Sequence, residues 1–154
     1  MRTSVVVAAW AIGAACAAGA IAAETDPAHA AFQKGDYPRA IDAYERMGAQ
    51  RRDVVQTLEL ARSYRMVQEP ERAEALALAV LERSPKNTEA LLVLGDTMAS
   101  RGDWHGAAEQ FAAATASPSA RPEIWLQLGQ ALQMDGQPAA AELAFRAYGQ
   151  LTAK

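Results

Sequence analysis

The apolar positions of this chain fall into helical stripes that come back at a fixed interval. In "VVQTLELARSYRMV", residues 54–67, Val54, Leu58, Ala61 and Met66 lie near one stripe, and Val55, Leu60 and Tyr64 form a second. A helix apolar on two sides lies between neighbours. Comparable runs follow in "LLVLGDTMASRGDW", 91–104, and "IWLQLGQALQMDGQP", 124–138. Proline marks the starts: Pro27 and Pro122 precede first helices, and Pro38, Pro70 and Pro138 follow turns, where a missing N–H is tolerated. Asp26, Asp53 and Asn87 can accept bonds from free N–H groups at helix starts, while Gly35, Gly102 and Gly136 can end helices in the left-handed conformation. The pattern predicts an all-α chain of seven full helices and one short one.

The interval is legible residue by residue. "GDYPRAIDAY", 35–44, reappears as "GDWHGAAEQF", 102–111, and the midpoint holds a weaker copy. Small residues at Ala40, Ala73, Ala107 and Ala141 are spaced by 33, 34 and 34; four residues after each come Tyr44, Ala77, Phe111 and Phe145. The preceding turns are Gly35, Gln68, Gly102 and Gly136, and seven residues before each stands Ala28, Ala61, Gly95 or Gly129. A side chain larger than Ala at the crossing positions would strike the partner helix, and the aromatics fill the space one turn on. The predicted core is therefore Ala40, Tyr44, Ala73, Gly95, Ala107, Phe111, Trp125, Gly129, Ala141 and Phe145.

This pattern resembles the tetratricopeptide repeat, a helix-turn-helix unit of about 34 residues. The fullest matches are Trp125, Leu128, Gly129, Gly136, Ala141 and Phe145 in the last copy and Leu91, Leu94, Gly95, Gly102, Ala107, Phe111 and Ala114 in the third. The resemblance implies an α-solenoid of about four repeats, at about 26–53, 54–87, 88–121 and 122–154, the first truncated, within a domain spanning 24–154.

Composition adds limits. A chain of 154 residues with 51% hydrophobic but only 6% aromatic residues suits one domain of closely packed helices. Its net charge of -3 gives no overall basic field for phosphates, so nucleic acid is not an expected partner. Residues 1–23 carry one positive charge at Arg2, no charge from Thr3 to Ala23, and Ala20 and Ala22 in A-x-A spacing, the plan of a cleavable secretory signal. The expected location is the periplasm or the exterior, ahead of an uncleaved inner-membrane anchor and of a lipoprotein modified at Cys16. Cys16 is the single cysteine, so a processed chain would form no disulfide and use no thiol.

Two histidines, His29 and His105, stand more than two repeats apart, and no phosphate loop, H-E-x-x-H, Ser elbow or spaced Asp cluster accompanies them. No enzyme activity, cofactor or metal is expected. What remains is binding of another protein or peptide. The resemblance implies that the first helix of each pair lines a concave groove, here with Phe32 and Gln33, then Leu58, Arg62, Arg65 and Met66, then Leu92, Asp96 and Ala99, then Leu126, Gln130, Gln133 and Met134. Relatives that clamp a chaperone's terminal carboxylate use Lys and Asn where this chain has Leu58, Arg62, Leu92 and Asp96. Arg62 and Arg65, three apart on one helix face, could receive an acidic group from a partner, or pair with Glu59, Glu69 or Glu89. Leu143, Tyr148 and Leu151 on the uncapped last helix form a second candidate surface, for a partner or for self-association. The expected role is a non-enzymatic adaptor of the bacterial cell envelope. The alternative is a membrane-anchored structural subunit or assembly platform of the pilus or cytochrome-biogenesis kind.

Overall fold

A computed structural model describes residues 26–118 and 120–153. The expected signal segment, with Arg2 and Cys16, lies outside them. The described residues form eight helices: α1 (Pro27–Gln33), α2 (Tyr37–Met47), α3 (Val54–Met66), α4 (Pro70–Arg83), α5 (Thr88–Ser100), α6 (Trp104–Thr115), α7 (Pro122–Met134) and α8 (Pro138–Thr152). Seven are full and α1 is short, as the pattern predicts. Every helix packs on the next, and α3 also touches α1 and α5. The odd-numbered helices thus form one wall of an α-solenoid, with the even-numbered ones behind.

Local chemistry sets the boundaries. Prolines occupy the first turns of α1, α2, α4, α7 and α8. Asp26, Asp53 and Asn87 cap their helices, and Asp53 forms a capping box with Gln56. Asp36 and Asp103, each following a turn glycine, cap α2 and α6. All four turns within repeats close alike: the N–H of Asp36, Glu69, Asp103 and Gln137 reaches back to the carbonyl of Ala31, Tyr64, Met98 and Leu132. This closure needs a left-handed residue, supplied by Gly35, Gly102 and Gly136 but also by Gln68, at φ 66°. Gln68 fills the glycine position despite its Cβ.

The predicted crossing residues Ala40, Ala73, Ala107 and Ala141 are buried, as are Tyr44, Phe111, Gly95 and Gly129. Three residues beyond the aromatic positions, Val80 shares a buried cluster with Ala90 and Val93 of α5, and Ala114 shares one with Ile124 of α7. The same register places the half-buried Tyr148 at this position in the last repeat. Trp125 and Phe145, expected inside, are only partly buried, because no helix follows α8 among the described residues to cover the last pair. Val54 and Val55, read as inward, are 42% and 62% exposed. They occupy the first turn of α3, where the connection from α2 does not reach over them.

Candidate peptide-binding groove

The odd-helix wall is held together by side chains that reach from one repeat to the next. At its start, the carboxylate of Glu59 on α3 is buried, at 6% exposure. The Tyr44 hydroxyl donates to it, and the His29 ring nitrogen Nδ1 lies 2.9 Å from it. Burial first, and the Glu59 carboxylate next, push the Tyr44 hydroxyl pKa far up; the bond to Glu59 raises that of His29. A buried carboxylate with two donors is satisfied, so Glu59 joins the first two repeats and is no reactive acid.

The central part of the wall carries two polar chains. Glu89, in the first turn of α5, receives Arg62 of α3 at 2.5 Å and Arg121, at the start of α7, at 3.1 Å. Deeper in the wall, Asp96 of α5 accepts from Gln127 of α7 at 3.0 Å and faces Arg65 of α3 at 3.9 Å. Burial raises the Asp96 pKa, partly offset by Arg65 and Arg62. Arg65 is under-satisfied: 3.9 Å is an ion pair without a short hydrogen bond, and its Nε is buried with no partner.

The predicted groove residues therefore divide. Arg62, Arg65 and Asp96 come together in the middle of the wall, with Met66 exposed beside them. Gln130, Gln133 and Met134 are exposed on α7, and Leu126 is half-buried. Leu58 and Leu92, expected on the groove surface, are instead buried at 4% and 6% and serve helix packing. Phe32 packs edge-on against Tyr37 across the α1–α2 turn, with ring centroids 6.1 Å apart, and Gln33 bonds His29 rather than standing free. Of the acids expected to neutralise the arginines, Glu89 takes Arg62, whereas Glu59 is held by His29 and Tyr44, and Glu69 by Arg72. In the Arg65–Asp96–Gln127 chain the sequence offers Arg65 and Asp96 as unlinked groove residues and does not mark Gln127. Their common spacing of 31 is the signal that one repeat reaches the next.

On α8, Leu143 and Leu151 are exposed and Tyr148 is half-buried. Among the described residues no three His, Cys, Asp or Glu side chains are grouped to hold a metal ion, and no helix is long and apolar enough to cross a membrane.

A tetratricopeptide repeat family model matches residues 58–121 and 99–152. The chain belongs to the tetratricopeptide repeat family. Among solved structures the repeat array is similar to MamA, at 21% identity and a TM-score of 0.73 over 83% of this chain and 75% of that one. It is similar also to YrrB, a TPR protein with an unusual peptide-binding site, at 19% identity and a TM-score of 0.70 over 82% and 66% of the two chains. A third similar structure is TTC0263, a thermophilic TPR protein of Thermus thermophilus, at 16% identity and a TM-score of 0.70 over 82% and 72%. At such identities these likenesses speak for the fold alone. No curated protein matches the sequence.

Proposed function

We propose that this tetratricopeptide repeat protein is a non-enzymatic adaptor of the bacterial cell envelope. Its odd-helix wall takes up a partner polypeptide, with an acidic side chain or terminal carboxylate bound at Arg65. The repeat fold supports protein binding in general, and the observation that favours this place is the under-satisfied Arg65 guanidinium, half-buried between Asp96 and the exposed Met66. A carboxylate arriving there gains charge-assisted bonds in partly desolvated surroundings. Export is favoured by the plan of residues 1–23, which also supports the second reading, an anchored assembly platform. Recovery of an intact Met1 from the membrane fraction would favour the platform.

The test begins with cross-linking and affinity purification from the periplasm to identify a partner. The double variant Arg62→Ala with Arg65→Gln keeps a donor near Asp96 and should melt nearly as the wild type does. Its capture of that partner should weaken at least tenfold, equivalent to roughly 1.4 kcal/mol. Full capture by the double variant rejects the groove. If instead Tyr148→Ala with Leu151→Ser abolishes capture or self-association, the contact lies on α8.

A further inference from the structure

Chain topology sorts the connections onto two edges. Successive helices run antiparallel, so the turns within repeats, at Gly35, Gln68, Gly102 and Gly136, share one edge, and the connections between repeats share the other. Cross-repeat bonds agree with this placement. Asp26 accepts from Gln56 at 2.8 Å and Glu89 from Arg121 at 3.1 Å on the between-repeat edge, while Arg101 meets Glu74 at 2.5 Å and His105 meets Asp135 at 3.0 Å on the other.

The edges differ in how their cations are matched. On the within-repeat edge Arg72, Arg101 and His105 each face an acid, and Lys34 and Arg39 stand outside the ion pairs of the described residues. On the between-repeat edge Arg51, Arg52, Arg83 and Lys86 have no ion pair among the described residues, and the acids next to them in sequence are two, Asp53, which caps α3, and Glu82. Arg52 donates only to the Tyr44 carbonyl, at 2.9 Å, and its Nε is buried without a partner. Arg52 and Arg83 flank a cleft of about 350 Å³ that includes Val54, so the two connections carrying these cations are neighbours in space. Beside them Val54 and Val55 project, 42% and 62% exposed.

We propose that the between-repeat edge docks this protein on an anionic lipid bilayer. Arg51, Arg52, Arg83 and Lys86 lie over the headgroups, and Val54 and Val55 reach into the interfacial zone. With a net charge of -3 the molecule as a whole is repelled by such a surface. Within a Debye length of roughly 8 to 10 Å, however, the local charge decides, and four unpaired cations against Asp53 and Glu82 leave this patch positive. An acidic protein would satisfy the charges but give no reason for two exposed valines among them. The point of attachment agrees as well: residues 1–25, uncharged from Thr3 to Ala23, join the fold at Asp26 on this same edge. Arg51, Arg52, Arg83 and Lys86 are not among the groove residues, so replacing them leaves peptide capture intact.

The experiment is co-sedimentation of the full chain with phosphatidylcholine vesicles, with and without about a third phosphatidylglycerol, at low and high salt. The apolar leader, with its one charge at Arg2, can bind both vesicle types, so the measured quantity is the excess on the anionic one that the edge variant removes. An excess of at least tenfold at low salt, lost at high salt, is expected. Arg51→Glu with Arg83→Glu should abolish it, whereas Lys34→Glu with Arg39→Glu, an equal charge change on the opposite edge, should leave most of it. Equal binding to both vesicles overturns the proposal, as does equal loss in the two double variants. Tighter binding of a soluble polyglutamate than of the vesicles would overturn it in favour of an acidic protein.

Discussion

The ring of Phe145 lies so close over Gly129 that a Cβ on the glycine would stand 2.4 Å from it, and Phe111 lies over Gly95 with a corresponding distance of 2.7 Å. The second repeat has Ala61 and Ala77 at these two positions, so in these three pairs the ring stands where its partner is glycine and is absent where it is alanine, while the first repeat combines Ala28 with Tyr44. Gly129→Ala should lower stability by roughly 1 to 3 kcal/mol, the range for overpacking. Ala77→Phe should destabilise alone and less when combined with Ala61→Gly. Thermal melts of the four members of that cycle give the coupling directly. Additive effects would show that the second repeat does not share the packing of the third and fourth.

Gln68 holds the left-handed position that glycine holds in the other three turns. A Cβ there is strained by about 1 kcal/mol or somewhat more, against a smaller entropic loss when glycine is ordered. Gln68→Gly should therefore raise the denaturation midpoint, by up to about 1 kcal/mol in stability. A lower midpoint would mean that the Gln68 side chain stabilises the fold in some other way.

The contact of His29 with Glu59 makes stability pH-dependent in a defined direction. Glu59 raises the folded-state pKa of His29 above 6.5, with a smaller contribution in the same direction from Asp26. The stabilisation is fully present below the unfolded value and is lost as pH rises through the folded one. His105 is raised in the same sense by Asp135, and the lowered Asp135 pKa acts only in the acid range. The melting temperature should fall as the pH is raised above about 6.5, and His29→Asn should reduce that fall. An undiminished fall in the variant would assign it to His105.

Ala107 is fully buried at the crossing of α5 and α6. Ala107→Glu adds bulk and a charge without a partner, and should unfold the domain or lower its melting temperature sharply. The exposed Glu71→Ala should change stability by less than about 0.5 kcal/mol. Circular dichroism melts of both test the repeat register from opposite directions.

Much of the fold was legible because the repeat states the same constraints several times. Proline starts, glycine stops and crossing alanines each carry a local reason, and their common interval makes accidental agreement rare. The wall was less legible. Leu58 and Leu92 sit at groove positions by spacing alone, yet spacing cannot tell a leucine turned into the helix packing from one turned out. Glu59 reads as an ordinary surface acid until Tyr44 and His29, 15 and 30 residues away, are brought against it. The matched edges were hidden for the same reason: a cation's isolation depends on which acids the loops carry into reach.

Tyr148 bears on how long such an array can become. Arrays of this kind lengthen by copying a whole unit, and the repeats that another one follows offer Met47, Val80 and Ala114 at this position, none of them an aromatic ring. A unit added after Thr152 would instead press its first helix against the Tyr148 ring, where the third repeat has the methyl group of Ala114. A Tyr148→Ala change would give the last repeat the side chain with which the third one meets its following helix, and so a surface on which a further copy could be built.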